Sequence, residues 1–530
     1  MQKIKKYEVS LIIKYTLYGA ILLQFSTTLP GQAIYYSDNP QEYSTEYQYH
    51  IVGNVKGNII VWKTYLKEHS KSEIFVYNNS MKLIRTINTN ILQSDINPCL
   101  EFIVLNNSFL VFYQCKYQNV FLYKVGRFDE LGNLIADEVL DSFGTNFGLP
   151  VKETFFYKIL RPGNNNTVCF AKMNCDSKND VFNLNGSFIS DDTIMKKNFV
   201  TPFDDSNETL ADVIVDDKKN ILLLKGIKKD SFINLKLVKM NFSDAPLLVA
   251  EKKISNYSFE ENSLRISEEP GGYLIFGRLG RYYGKEHMLQ TRLYVWQTDN
   301  DLKDRTGDTI MNDEPAGDRI SFTANISTND NLTNVFATWS VPGINSDQNV
   351  YDWYNSSNQF ASYKFVYPVF KEYAFYYTGY TTPSGIYLPP PYNKVEDDYA
   401  KSDTGNINFW PNPLINKIEI FKLNNDNKIA WSCAFKDSID NITVANLCNA
   451  RVIAGHQAIH IIYEIHTARK TTTLDHIAVN ADGAFSKGFI AVWDSKYSYN
   501  LNDCVLTRKD ELVVPAIRSG KIKFAKVKIE

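Results

Sequence analysis

Residues 57–87, GNIIVWKTYLKEHSKSEIFVYNNSMKLIRTI, make one complete supersecondary unit. Asn58 to Leu66 is a largely apolar run, the pattern of a strand buried on both faces. Glu73 to Tyr77 is a second run that ends at the turn Asn78-Asn79-Ser80, and Lys82 to Ile87 then alternates. Each run is too short for a helix, is rich in Val, Ile, Phe and Tyr, and is closed by residues that tolerate positive φ. The unit holds no chemistry; it is architecture.

The chain repeats it. An apolar strand, an Asn/Asp/Gly turn and a more polar strand recur as VFLYKVGRFDELGNLIAD around Gly132, VFNLNGSFIS around Asn185 and INLKLVKMNFSDAPLLV around Ser243. Further copies are RLYVWQTDNDLK around Asp299, KIEIFKLNNDNKIAWS around Asn425 and HIAVNADGAFSKGF around Asp482. Outside the interval Asp299 to Asn425 the turns are about 53 to 58 residues apart, a period that means propeller blades or another stacked array. Seven turns and a closing unit predict an all-β fold, a single β-propeller of about eight four-stranded blades. The last residues, from Asp503 on, hold only three strands, CVLTRK, ELVVPAIRS and KIKFAKVKI, so the N-terminal IYYS at 34–37 is expected to close the ring. The pattern resembles exported bacterial β-propellers in general. That likeness spans residues 34–530 and rests on periodicity, since the chain has no WD dipeptide repeat, no kelch double glycine and no YVTN tetrapeptide.

The formal charge of -2 over 530 residues leaves no basic field for phosphates, which excludes nucleic acid as a partner class. Lys3, Lys5, Lys6 and Lys14, the apolar run Tyr15 to Phe25 and the small-residue end Pro30-Gly31-Gln32-Ala33 read as a signal peptide over 1–33, cleaved after Ala33. A secreted or periplasmic protein with no membrane anchor after cleavage is expected. Seven cysteines are too few for a disulfide scaffold. Cys99 and Cys115 flank the Asn106-Asn107 turn almost symmetrically and are the expected disulfide, with Cys433 and Cys448 as the other candidate pair.

One interval breaks the period. Residues 341–416 are an aromatic-rich insertion between a strand ending at Ser340 and one starting at Lys417, or else a degenerate ninth blade; the insertion is the simpler reading. Its Tyr351, Trp353, Tyr354, Tyr376, Tyr377 and Trp410 offer flat faces that stack on sugars or grip peptide, although packing within the insertion would use the same rings. One blade earlier, RLGRYYGKEH at 278–287 is read as the equivalent long connection, placing Arg278, Arg281 and Tyr282 beside those aromatics on one face. Within the same run as WPNPLINKIEIF, which is similar to the opening of a type IX secretion sorting domain, the likeness stops where a blade follows.

Four of the seven histidines, His456, His460, His466 and His476, fall in one blade. His460, Glu464 and His466 share a strand face, but at about 3.3 Å per residue the two histidines are some 20 Å apart, so no metal is expected. There is no GxSxG elbow, no HExxH and no phosphate-binding glycine loop, and no cofactor is expected. The residues therefore point to a non-enzymatic binding or scaffold propeller that contacts a glycan or a protein through its long loops. The alternatives are a propeller glycosidase or lyase with carboxylates in a central pocket, and a purely structural envelope component.

Overall fold

The computed structural model describes residues 34–529 apart from stretches between strands, the longer ones being 92–100, 145–154, 311–320 and 437–450. Of 341–416 it describes only the two-residue strands Phe365–Val366, Tyr380–Thr381 and Tyr387–Leu388. The leader, its cleavage site and Cys99 lie outside the described residues.

The described chain is all-β, with nine antiparallel sheets, eight of them of four or more strands. The founding stretch forms the first: Tyr47–Val55, Asn58–Tyr65, Ser72–Tyr77 and Leu83–Thr89, hydrogen-bonded in that order. Its second strand is buried throughout its middle while its fourth is mostly exposed, so burial falls from the first strands outward. The first strands of neighbouring sheets touch, as Tyr47–Val55 does with Glu101–Val104 and Glu208–Val215 with Arg265–Glu269. This is the radial arrangement of a propeller.

Side-chain packing passes from sheet to sheet. Trp62 and Ile74 of the first sheet meet Phe109 and Phe128 of the second; Tyr123 of the second meets Tyr157 and Phe170 of the third. Phe188 of the third shares a core with Leu223 and Val238 of the fourth, and Leu235 of the fourth with Trp296 of the fifth. Phe276 of the fifth packs on Phe421 of the sixth, and Phe435 of the sixth lies 5.5 Å from Phe485 of the seventh. Ile462 and Leu474 of the seventh sheet pack on Leu512 and Val527 of the last. The last sheet in turn packs Val513, Ile522 and Phe524 against Ile51, Val61 and Tyr77 of the first. Its outermost members come from the other end of the chain: Tyr35 pairs with Lys526, Tyr36 with Ala525 and Gln41 with Ile522.

Four tight turns share one geometry, those that mark the repeat at Asn78, Asp129 and Asp299 and the one at Asp216 that joins the first two strands of the fourth sheet. At Asn78, Asp129, Asp216 and Asp299 the backbone N–H bonds the carbonyl four residues on, and the N–H three residues on bonds back to the first carbonyl. The first residue's side-chain oxygen accepts from the N–H groups two and four residues later. The fourth residue sits in the left-handed region, with φ of 59° at Met81, 77° at Gly132, 66° at Lys219 and 62° at Leu302. This is a type I turn with a bulge, and Asn or Asp leads it because only a short side chain can reach back to the following amides.

Three expectations need correction. Asn185 is not a turn: Val181–Ser190 is one continuous strand, and the chain reverses at 191–193. Gly186 is there for packing, since a Cβ would lie 3.0 Å from the Phe188 ring and 3.1 Å from Cys169 Sγ. Residues 278–287 are not a long loop either. Gly272–Tyr283 and His287–Asp299 are two long strands paired from Gly272↔Asp299 to Tyr283↔His287, which leaves a connection of 284–286. Finally, Cys115 is a free thiol rather than half of a disulfide. The described hairpin pairs Glu101 with Phe112 and Val104 with Phe109, and Cys99 lies outside the described residues.

Candidate functional site

Each sheet has two unlike ends. The tight turns just described join strands at one end, here called the lower; second-to-third-strand connections emerge at the upper. In the sixth sheet Asn331–Ser340 pairs with Lys417–Leu423, with Ser340 opposite Lys417, so the ladder runs directly from one side of 341–416 to the other at the upper end. Tyr351, Trp353, Tyr354, Tyr376, Tyr377 and Trp410 lie outside the described residues. Arg278, Arg281 and Tyr282 are placed in backbone only, opposite Leu293, Gln290 and Met288.

The described residues do form a cleft at the upper end. Next to the 230–231 connection of the fourth sheet, Ile227, Phe232, Asn234, Glu251 and Lys253 line a space of about 410 Å³. Register brings them to one face, because Ile227 pairs with Asn234 and Asn234 with Lys253 on adjacent strands. Lys253 Nζ lies 4.0 Å from the Phe232 ring centroid, and Lys236 Nζ lies 3.7 Å from Glu251 Oε1. An apolar floor, a ring and a few convergent polar groups are the composition of a small-ligand site. In the sequence these residues look like two ordinary amphipathic strands, and only strand register collects them.

A second cluster sits at the lower end, between the fourth and fifth sheets. Tyr273 donates to Asp216 Oδ2 at 2.7 Å, and Asn220 donates to the same oxygen at 2.9 Å. The Asp217 N–H bonds both Glu268 oxygens, at 3.2 and 3.1 Å. Burial, reinforced by the nearby Asp217 charge, pushes the Glu268 carboxyl up to about 7. Lys239 lies 5.2 Å from the Tyr273 ring and spends its proton donor on the carbonyl of Asn300, 2.8 Å away in the fifth-sheet turn. Burial also lowers the Lys239 pKa. Nearer the axis, Lys158 of the third sheet bonds Asp212 Oδ1 at 3.2 Å and the Val213 carbonyl at 2.9 Å. Asp212 Oδ2 accepts from Ile266 N of the fifth sheet at 2.9 Å, so one buried ion pair ties three consecutive sheets. Burial holds Lys158 down at about 8.

Among the described residues no group of three or more His, Cys, Asp or Glu is arranged to hold a metal, and no helix is long and apolar enough to cross a membrane. His460 sits with His476, their ring centroids 5.5 Å apart. The side chains of Glu464 and His466, its partners in the metal reading, lie outside the described residues.

No protein-family model matches the chain, and no curated protein matches it. Solved structures match at low similarity. The polysaccharide lyase Uly1 shares 8% identity at a TM-score of 0.35, over 81% of this chain and 89% of that one. Cobalt-substituted ACO of Synechocystis shares 7% at 0.32, over 85% and 91%. The Nup133 β-propeller domain of Vanderwaltozyma polyspora shares 10% at 0.30, over 94% and 99%. At these scores none bears on what the chain does.

Proposed function

We propose that the chain is an exported, non-enzymatic propeller of about eight blades, closed by its N-terminal strand, that holds a glycan or a protein at its upper end. The observation that carries this reading is the coincidence at that end of the 410 Å³ cleft and the point where 341–416 leaves and rejoins the sixth sheet. At the lower end, by contrast, the leading Asn and Asp side chains of the turns bond amides within their own turns. Phe232 supplies a half-buried ring, and Asn234, Glu251 and Lys253 supply hydrogen bonds of both polarities, which suits a polyhydroxyl or peptide ligand. The aromatic residues of 341–416 extend that surface in this reading.

A glycan array on the mature protein, with a pull-down from extracellular material beside it, tests the proposal. The double variant Phe232→Ala/Lys253→Ala is expected to lose tenfold or more in affinity for whatever is captured, with its denaturant midpoint nearly unchanged, because both side chains are at least partly exposed. Binding that survives the double variant intact sinks the assignment of the cleft. A propeller glycosidase or lyase is the second reading, favoured by Glu268: a carboxyl poised near neutrality beside Asp216, Asp217 and Tyr273 has the form of a general acid. Polysaccharide cleavage abolished by Glu268→Gln would move the function from the upper end to the lower.

A further inference from the structure

His476 is 4% exposed, and neither of its ring nitrogens has a hydrogen-bond partner. Buried polar atoms are nearly always paired, so two on one ring require an explanation. The residue stands in the middle of the third strand of the seventh sheet, Thr472–Asn480, opposite Ile462 on one side and Gly488 on the other. Its ring stacks on that of His460, itself 5% exposed. A Cβ at position 488 would lie 3.0 Å from its Nδ1, so the glycine there leaves the imidazole room that any side chain would press on. Because strand residues alternate, His476 shares a face with Leu474 and Ile462, which pack against Leu512, Val514, Val527 and Ile529 of the closing sheet.

We propose that this histidine pair makes the seam between the seventh and closing sheets an acid-sensitive joint: a proton on His476 has no acceptor in place and is accommodated only when the seam opens. The surroundings offer no counter-charge among the described side chains. Leu474 and Ala478 flank His476 on its own strand, His460 faces it from the second strand, and Gly488 faces it from the fourth. Lys487 lies over the Tyr463 ring and Asp475 alternates to the same opposite face. On the closing sheet Glu511 and Lys526 pair with each other and Lys526 reaches Asn79 of the first sheet, away from the seam. Arg518 and Lys523 share the seam face only at its upper end, where Arg518 lies over Tyr497. Register also puts Arg451 opposite Ile462 and Glu464 opposite Leu474, on the same face towards its upper end. The closing sheet is where Tyr35–Tyr36 and Gln41–Glu42 are paired with Lys521–Lys528, so opening here loosens the sheet that joins distant parts of the chain.

Burial, with His460 adding to it, holds His476 down at about 4 against an ordinary value of 6.5. With those values, acidification from pH 7 to pH 5 should multiply the open population at this seam about 25-fold. Hydrogen–deuterium exchange on the mature chain, corrected for intrinsic rates, reads it. In the wild type, amides of 472–480 and 511–518 should lose about 25-fold more protection over that pH range than in His476→Phe, which keeps the stacked ring and removes the proton site. Equal pH dependence in the two proteins, or loss confined to other sheets, overturns the proposal. Direct side-chain NMR titration of His476 in the wild type is the check that does not depend on a variant folding: a pKa near 6.5 also overturns it.

Discussion

Deleting residues 34–38 should cost about 5 kcal/mol, enough to unfold a domain of ordinary stability or bring it to the edge. The figure comes from five hydrogen bonds at about 1 kcal/mol each. Ser37 donates from its N–H to the Phe524 carbonyl at 2.9 Å and accepts from Phe524 N on its hydroxyl at 3.0 Å. Asp38 donates to the Met81 carbonyl at 3.2 Å and accepts Leu83 N at 2.8 Å, which carries the contact on to the first sheet. Tyr36 and Tyr499 share a hydroxyl–hydroxyl bond of 2.7 Å, and the Tyr36 ring stacks on Tyr497 at 5.4 Å. Ser37→Ala is the sharper probe, because Ser37 is fully buried and the variant strands the Phe524 amide. It should cost about 1 to 3 kcal/mol alone. Guanidinium melts of both variants, read by far-ultraviolet circular dichroism, are the assay. A midpoint for the deletion within error of the wild type would show that the last sheet keeps its structure without this strand, and the reasoning would fail.

Lys158→Met should lose about 3 to 5 kcal/mol, since it removes the buried ammonium that pairs with the Asp212 carboxylate, whereas Lys158→Met/Asp212→Leu should recover most of it. Denaturant midpoints decide, and a single-variant loss below about 1 kcal/mol refutes the pairing's role. Glu268→Gln tests the lower cluster by pH. A carboxyl raised in the folded state contributes stability that is full below its unfolded pKa and lost as pH rises through about 7. The Gln variant should therefore match the wild type near pH 4.5 and exceed it by about 1 to 3 kcal/mol at pH 8, seen in melts across that range. The Phe232→Ala/Lys253→Ala and His476→Phe variants complete the set.

The repeat was legible because its turn is chemically narrow: Asn78, Asp129 and Asp299 each take the one kind of side chain that can hold two following amides, and that leaves a mark in the sequence. Asn185 carried the same mark without the geometry, because an Asn-Gly pair can also serve a strand that needs space beside it. Residues 278–287 looked like a loop for their charges and glycines, yet the ladder runs on through them to Tyr283↔His287. The ion pair of Lys158 with Asp212 and the cluster of Asp216, Lys239, Glu268 and Tyr273 left no local signal. They join positions roughly one repeat period apart, so the trace to look for is a charge at equivalent places in consecutive units.

The pairing of Ser340 with Lys417 has a consequence for chain length. Once the ladder fixes both ends of 341–416 side by side, closing that span instead of a four-residue hairpin costs about 2 to 3 kcal/mol, and the cost grows only with the logarithm of its length. The sixth sheet is thus a socket that barely registers what is plugged into it. Outside Phe365–Val366, which pairs with Tyr157 and Lys158 of the third sheet, sequence between those two positions should tolerate lengthening, trimming or exchange, which makes Ser340 and Lys417 the natural splice points for carrying a new module on this scaffold.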